Sequence, residues 1–280
     1  MDQMHGKVCV ITGGSSGIGR ATSLALAKKG ATVVILTRSR ERGEQAQVEI
    51  TRESGNDKVE IVIADLAVQA DVRRAAAELL QNYPEIHVLI NNAAVMLATR
   101  ELTVDGIEKM FATNYLSHFL LTNLLLGRLR ASAPARIVTV ANLIPGAKID
   151  LNDLNMEKGK YSAFGALGPA KLALILFSRE LAKRLSGTGV TANILEPGLA
   201  KTTIMNEQPW WMRTLVHLIS GTPEKAARTP VFLATDPEIT GVTGKYFSKC
   251  KEVPISGAQV DNEVLWRQLW EKSEQLTNLG

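Results

Sequence analysis

Three glycines near the start of the chain have the spacing of a nucleotide-binding turn. Gly13, Gly17 and Gly19 lie in the segment TGGSSGIG, between a strand-like run and an amphipathic helical pattern. Glycines at such a junction let the chain turn sharply and bring backbone N–H groups and a helix N-terminus close to a pyrophosphate. We therefore predict a dinucleotide site here. On this segment alone, the alternative is a glycine turn with a purely structural role.

The second strand-like run indicates which dinucleotide binds. Its last residue is Thr37, and Arg38 and Arg40 follow it. A carboxylate at this position would accept hydrogen bonds from a ribose 2′-hydroxyl and repel a 2′-phosphate, whereas an arginine binds a phosphate through two parallel hydrogen bonds. The sequence thus favours NADP(H) over NAD(H), with Arg38 as the phosphate ligand. The alternative is that Arg38 is a solvated charge at the end of a strand.

Four motifs occur in order along the chain: TGGSSGIG, ADL with Asp65, NNAA at 91–94 and EPGLAKT at 196–202. They resemble those of the short-chain dehydrogenase/reductase family, and the resemblance covers nearly the whole chain. Within the family, RELTVDGIEKMFATNYLSHFLLT, PEITGVTGKYFSKCKE and LWEKSEQL resemble the retinol dehydrogenase type, which acts on apolar carbonyls and alcohols. The membrane anchor of many such relatives is not expected here. The resemblance implies that NADP(H) is bound by Gly13, Ser15, Ser16, Gly17, Ile18, Gly19, Arg38, Asp65, Leu66, Asn92, Ala93, Lys171, Pro197, Gly198 and Thr202.

The same resemblance implies a catalytic set of an Asn, a Ser and a Tyr-x-x-x-Lys helix, of which this chain keeps only a part. A lysine four residues after the tyrosine shares its helix face and lowers the phenol pKa, so that the tyrosine exchanges a proton with the substrate while the nicotinamide carries the hydride. Asn114 and Lys171 match this set. Leu167 stands at the Tyr position and Asn142 at the Ser position. Neither side chain is an acid, so we predict that the ordinary proton relay is absent.

The segment LGPAK predicts where the helix that carries Lys171 begins. Proline disfavours a helical conformation in the residue before it and is well suited to the first position of a helix. We expect Gly168 to be the N-cap and Pro169 the first helical residue, which leaves Leu167 outside the helix. In this family the lysine also contacts the nicotinamide ribose, which explains why Lys171 is kept. The alternative is that the loss of Ser and Tyr is engineered or recent.

Apolar residues near this site predict an apolar substrate. Tryptophans in the segment that covers the substrate in relatives would form a stackable wall, although helix packing explains them equally well. His118, in the apolar segment SHFLL, is expected to be a core histidine, and the scattered histidines suggest no metal site. The residues expected to shape the pocket are Leu143, Leu167, Leu199, Trp210 and Trp211.

Short β-branched runs alternate with helical patterns and must position these residues. The runs lie at 8–12, 32–37, 59–64, 88–91, 136–141, 190–195 and 245–247. Helices between strands imply βαβ crossovers, and continuous apolar strands imply a sheet that is buried on both faces. We predict a single doubly wound, three-layer α/β Rossmann domain over residues 1–280, with a parallel seven-stranded sheet and a substrate-lid insertion at about 201–230.

The composition is that of a soluble globular protein, with 45% hydrophobic and 21% charged residues. The net charge of +4 is spread among acidic residues, which argues against a nucleic-acid partner. Cys9 and Cys250 are far apart, which argues against a disulfide framework or a zinc site. The apolar runs are too short to cross a bilayer, and the start of the chain leaves no room for a signal peptide. We expect a cytoplasmic protein without a membrane span, and a homo-oligomer is left open.

Three functions fit these residues. The first is an enzyme that binds NADP(H) and acts on an apolar small molecule without redox chemistry, by cyclisation, isomerisation or elimination. In it Asn142 would orient or polarise a substrate carbonyl, and Asn114 and Lys171 would hold the cofactor side. The second is an NADPH-dependent carbonyl oxidoreductase in which Asn142 polarises the acceptor and water supplies the proton. The third is a non-enzymatic binding protein or an oligomer partner of an active relative.

Overall fold

A single sheet forms the centre of the molecule. The structure, a computed structural model, describes residues 3–198 and 221–279. Its strands are β1 Val8–Thr12, β2 Thr32–Thr37, β3 Val59–Ile63, β4 Val88–Asn91, β5 Ala135–Val140, β6 Val190–Glu196, β7 Tyr246–Ser248 and β8 Lys251–Glu252. Their order is β3-β2-β1-β4-β5-β6-β7-β8. The seven predicted strands are all present and parallel, which confirms the α/β class.

The predicted strand count is one too low, because β8 pairs antiparallel with β7 at the edge of the sheet. This strand has only two residues, both exposed, so it has no apolar pattern to reveal it. The turn before it holds Lys249 and Cys250 at positive φ angles of 48° and 62°. Such angles are uncommon for residues other than glycine, so the sequence carries no turn signal here either.

Helices cover both faces of the sheet, as doubly wound folds require. One face carries α1 Gly17–Ala27, α2 Arg40–Ser54 and α7 Pro223–Thr235. The other carries α3 Gln69–Asn82, α5 Ser117–Ala131, α6 Ala163–Arg184 and α8 Glu263–Thr277. A short helix, α4 Lys109–Phe111, and a π-helical turn, Ala112–Leu116, lead into α5. Residues 223–230, at the end of the predicted insertion, belong to α7.

The alternation of side chains along the strands divides the core between the two layers. In β5, for example, Ile137 packs in the larger apolar cluster and the next residue, Val138, in the smaller one on the opposite face. Both are 1% exposed. Burial on both faces explains why the strands read as continuous apolar runs.

The N-terminus of α6 differs from the prediction. The helix begins at Ala163, with Ser162 as its N-cap accepting a hydrogen bond from the Gly165 N–H at 3.1 Å, and Pro169 lies inside it. Proline removes one donor, but the cap and the burial of the residues around Leu167 hold the first turns in place. The expectation that Gly168 and Pro169 start the helix was therefore wrong. Leu167 is helical and lies one turn before Lys171.

An aromatic cluster fixes α8 against α5 and α6. Trp270 of α8 lies 5.0 Å from Phe119 in an edge-to-face arrangement and 5.7 Å from Phe177 in a stacked one, measured between ring centroids. The Tyr115 hydroxyl is 2.7 Å from Ser273 Oγ, which ties the π-helical turn to the same helix. Aromatic pairs of this kind add to the stabilisation from area burial alone.

Candidate active site

The glycine turn joins β1 to α1 with little free space. Gly13 and Gly17 have positive φ angles of 66° and 50°. A Cβ atom on Gly19 would lie 2.1 Å from the Gly13 carbonyl oxygen, so the first turn of α1 reaches this close to the loop only because Gly19 has no side chain. Ser16 precedes α1 without making a side-chain cap, and its neighbour Ile18 is in the first turn. The turn therefore has the form that an anion at a helix N-terminus requires.

A groove of about 380 Å³ runs from this turn along the carboxyl ends of β1, β2, β3 and β4. Seven of the predicted cofactor residues line it, whereas Asn92 braces the turn by donating its Nδ2 to the Thr12 carbonyl oxygen at 2.9 Å. The predicted residues that line the groove are Gly13, Ser15, Ser16, Arg38, Asp65, Leu66 and Ala93.

The end of β2 carries the features expected for a phosphate rather than a ribose hydroxyl. Thr37 is 7% exposed, and its Oγ1 is 2.9 Å from Ser15 Oγ. Arg38 and Arg42 both line the groove, whereas Arg40 pairs with Glu44 at 3.5 Å. Among the described residues, neither Arg38 nor Arg42 forms an ion pair. The groove thus presents two guanidinium groups, and only that of Arg38 was predicted as a phosphate ligand.

Arg42 was missed because its position depends on the start of α2. Ser39 caps this helix by accepting a hydrogen bond from the Arg42 N–H at 3.3 Å, which places Arg42 in the first turn. The pattern S-x-x-R after a strand could have located this cap. Asp65 lies across the groove, where its Oδ1 accepts a hydrogen bond from the Ala67 N–H at 2.9 Å.

Asn114 lies in the π-helical turn, and both ends of its amide bond to Val95. Its Oδ1 accepts from the Val95 N–H at 2.7 Å, and its Nδ2 donates to the Val95 carbonyl at 2.9 Å. Val95 lines the groove. Asn114 therefore holds the loop after β4 in place through both ends of its amide, with one N–H donor still free among the described residues.

His118 connects this clamp to the glycine turn. Its Nδ1 is 3.1 Å from the Asn114 carbonyl and therefore carries the proton, so its Nε2 accepts from the Thr12 hydroxyl at 3.0 Å. Burial lowers the His118 pKa to about 4. A second ring proton would face Thr12 Oγ1, which already accepts from the Asn92 and Ala93 N–H groups at 2.8 and 3.0 Å. The predicted core histidine is thus confirmed.

Lys171 is buried beside the carboxyl end of β5. Its Nζ donates to the Val140 carbonyl at 3.2 Å, and burial lowers its pKa to about 8. One turn earlier, Leu167 is 8% exposed and packs in an apolar cluster with Met96 and Met110. The position one turn before Lys171 on α6 thus carries a hydrocarbon side chain.

Asn142 and Leu143 follow β5 at the same edge of the sheet. Asn142 is exposed, whereas Leu143 is half-buried against the larger apolar cluster. Pro197 and Gly198 follow the neighbouring strand β6, with Gly198 at a φ of 74°. Four predicted residues lie outside the part of the chain that the structure describes: Leu199, Thr202, Trp210 and Trp211.

All four tyrosine hydroxyls of the chain are held in hydrogen bonds. Burial raises the pKa of each. Tyr161, predicted to be a packing residue in a loop, lies before α6 and donates to the buried Glu108 at 3.1 Å. The other hydroxyls bond at 2.6, 2.7 and 3.3 Å in the pairs Tyr83 with Glu60, Tyr115 with Ser273 and Tyr246 with Glu196.

Two further observations concern residues 3–198 and 221–279. Across these ranges, none of the helices has both the length and the apolar character needed to cross a membrane. The same ranges bring together no group of three or more His, Cys, Asp or Glu side chains that could hold a metal ion.

The fold and the groove match a known family. The family model for short chain dehydrogenases matches residues 7–212. The chain belongs to this family. Retinol dehydrogenase 14 from Homo sapiens is 41% identical over 296 residues, which cover 99% of this chain and 88% of that protein. Retinol dehydrogenase 13 from Mus musculus is 39% identical over 284 residues, covering 98% and 85%.

Solved structures of short-chain dehydrogenases and similar proteins share the architecture. A protein from Mycobacterium paratuberculosis superposes with a TM-score of 0.76 at 31% identity, covering 98% of this chain and 94% of that one. RhlG from Pseudomonas aeruginosa, solved as an active-site complex with NADP, has a TM-score of 0.69 at 27% identity, covering 92% and 97%. The resemblance to retinol dehydrogenase-like members of the family is thus confirmed.

Proposed function

We propose that this short-chain dehydrogenase binds NADP(H) and acts on an apolar small molecule by chemistry that does not use the family's Ser and Tyr proton relay. The observation that carries the proposal is the pairing of Lys171 with Leu167 on one face of α6. Cyclisation, isomerisation and elimination need a held and polarised substrate but no net hydride transfer.

The residues of the groove fit NADP(H). The close packing of Gly19 on the glycine turn leaves the N-terminus of α1 open to a pyrophosphate. Arg38 and Arg42 supply two cations where Thr37 replaces an acid. Lys171 holds the ribose on the nicotinamide side, as the family resemblance implies. When bound, the cofactor supplies a hydride donor or acceptor at its nicotinamide ring.

The protein side of the reaction lacks an acid. Leu167 can neither donate nor accept a proton, and Asn142 is a neutral amide. In our proposal the Asn142 Nδ2–H donates a hydrogen bond to a substrate carbonyl and polarises it. Asn114 acts as a positioning residue through Val95, and Leu143 and Leu167 provide apolar wall. Leu199, Thr202, Trp210 and Trp211 keep their predicted roles as part of this proposal.

A second candidate function is an NADPH-dependent carbonyl oxidoreductase in which water supplies the proton. It is favoured by the two retinol dehydrogenases at 41% and 39% identity.

We further propose that residues 1–280 form one domain with its lid after β6.

Two measurements test the proposed function. Calorimetric titration with NADP⁺ and NAD⁺ should show binding of both with preference for NADP⁺, and absence of binding would remove the premise. Retinal is the probe substrate, because the relatives are retinol dehydrogenases. With NADPH and retinal, absorbance at 340 nm should stay constant, whereas NADPH oxidation at ordinary enzyme rates would establish the oxidoreductase instead.

A further inference from the structure

The backbone ladder between β5 and β6 ends just before Asn142. Its last rung is the bond from the Ala141 N–H to the Leu195 carbonyl, at 2.8 Å. Two residues further along, the Leu143 N–H donates to the phenol oxygen of Tyr246 at 3.2 Å. A side chain from the first residue of β7 thus continues the ladder where the neighbouring strand no longer does.

The same phenol also reaches the end of β6. The Tyr246 hydroxyl donates to Glu196 Oε2 at 3.3 Å, and Glu196 is the last residue of β6, directly before Pro197. One hydroxyl therefore joins the turn that carries Asn142 to the turn that carries Pro197 and Gly198. These two turns follow the carboxyl ends of the neighbouring parallel strands β5 and β6.

Tyr246 is suited to hold this bond permanently. It is 5% exposed, with its ring in the larger apolar cluster on the α6 face of the sheet. Burial raises its pKa, so the phenol stays protonated and can donate to Glu196 while it accepts from Leu143.

Asn142 depends on its backbone for its position. Its side chain is exposed, and within the described residues it makes no hydrogen bond and belongs to no apolar cluster. Only the backbone on either side is anchored, by the Ala141 rung and by the bond from Leu143 to Tyr246. A loose backbone here would let the amide leave the orientation that a substrate carbonyl needs.

We propose that Tyr246 is the positioning residue for Asn142: by accepting the Leu143 N–H and donating to Glu196, it fixes the Asn142 amide in front of the substrate. This inference rests on the proposed role of Asn142. Tyr246 itself transfers no proton. It acts through a backbone contact at the edge of the site.

The test uses Tyr246→Phe, which removes one oxygen and keeps the ring. The matched control is Tyr83→Phe, because Tyr83 makes the same kind of phenol to carboxylate bond, with Glu60 at 2.6 Å, at the opposite edge of the sheet where α3 ends. Asn142→Ala and the double variant Asn142→Ala with Tyr246→Phe complete the set. Urea unfolding first establishes that each variant is folded.

The readouts are the affinity for all-trans-retinal in the presence of NADP⁺ and the infrared C=O stretch of the bound aldehyde. A hydrogen bond from Asn142 lowers this stretching frequency. We expect Tyr246→Phe to weaken retinal binding about threefold to tenfold and to raise the frequency towards its value in Asn142→Ala. Tyr83→Phe should match the unchanged protein. The double variant should be no worse than Asn142→Ala, because the two changes remove one interaction.

The outcomes separate this inference from the proposed function. A wild-type stretch and affinity in Tyr246→Phe, while Asn142→Ala shifts both, would overturn the role of Tyr246 and leave Asn142 in place. Additive losses of retinal affinity in the double variant would likewise show that Tyr246 does not act through Asn142. If retinal does not bind the unchanged protein, or if Asn142→Ala has no effect, the proposed role of Asn142 fails and this inference fails with it.

Discussion

The two halves of the sheet differ in the kinds of side chain that they bring to the carboxyl ends of their strands. The first half, β1 to α3, has the glycine turn, the open N-terminus of α1 and the two arginines that line the groove, Arg38 and Arg42. The second half, β5 and α6, keeps Lys171 but has Leu167 and Asn142 where proton-handling side chains are expected. A binding site depends on geometry and charge, whereas replacing one general acid or base typically lowers a rate by about 10²–10⁴-fold. In the proposed function, this difference separates the residues that bind the cofactor from those that would use it in a reaction.

The double variant Leu167→Tyr with Asn142→Ser is the strongest test of this difference. Since α6 includes residue 167, the new phenol would lie one turn before Lys171 with the helix already formed. We expect NADPH-dependent reduction of retinal to rise about 10²-fold or more, followed at 340 nm. The bulkier side chain should also cost about 1–3 kcal/mol in urea unfolding, because Leu167 is buried.

Each single variant is the control for this pair. Leu167→Tyr alone should give part of the gain and Asn142→Ser alone almost none. A folded double variant that binds NADPH and leaves the absorbance unchanged would show that the second half has diverged beyond these two residues.

The converse experiment disrupts the glycine turn of the first half. Gly19→Ala would place a Cβ 2.1 Å from the Gly13 carbonyl, so the turn or the helix must shift. We expect NADP⁺ affinity to fall on the order of 10²-fold by calorimetry, because several hydrogen bonds to the pyrophosphate are lost together.

Gly127→Ala is the matched control, since Gly127 is also helical but a Cβ added there would meet no atom within 4 Å. It should bind NADP⁺ normally and gain about 0.5–1 kcal/mol in stability. Equal affinities for the two variants would contradict the role given to the turn.

His118 joins the two halves, and its pKa predicts a pH effect on stability. The ordinary His pKa is near 6.5, whereas that of His118 is lowered to about 4. Between these pH values the unfolded chain binds a proton that the folded chain does not, so stability falls as the pH drops from about 6.5 to about 4. A difference of about 2.5 pKa units corresponds to a loss on the order of 3 kcal/mol attributable to this residue.

Urea midpoints of the wild type and of His118→Gln across this range measure the effect. The variant should be less stable near neutral pH and should lose less on acidification, so the two curves should converge. Parallel curves would show that folding does not lower the His118 pKa.

The smallest expected effect tests the arginine that the sequence did not predict. Arg42→Gln should reduce the preference for NADP⁺ over NAD⁺ about tenfold, since one charged hydrogen bond to the 2′-phosphate is lost. Arg40→Gln is the control, because Arg40 pairs with Glu44. If only Arg38→Gln reduces the preference for NADP⁺, then Arg38 alone binds the 2′-phosphate, as the sequence predicted.

Most of the fold and the cofactor groove could be predicted because their causes are local in the sequence. Apolar runs specify strands, and glycines at a strand end specify a turn. What was missed depends on contacts between distant residues. The start of α6 depends on the Ser162 cap and on burial that outweighs the effect of Pro169, and the partner of Leu143 is a tyrosine more than a hundred residues later. Engagement of both ends of the Asn114 amide likewise appears only once Val95 is placed beside it.

The short strand β8 has a consequence for the chain in a crowded cell. An exposed sheet edge offers unpaired N–H and C=O groups to any other extended chain and so favours aggregation. Here β7 is covered by a strand of only two residues, Lys251 and Glu252, which are charged, exposed and too few to template another strand. At the other edge, β3 carries Glu60, whose charge opposes the same kind of addition. Charged side chains at both edges, together with the short length of β8, thus oppose the addition of another strand to the sheet.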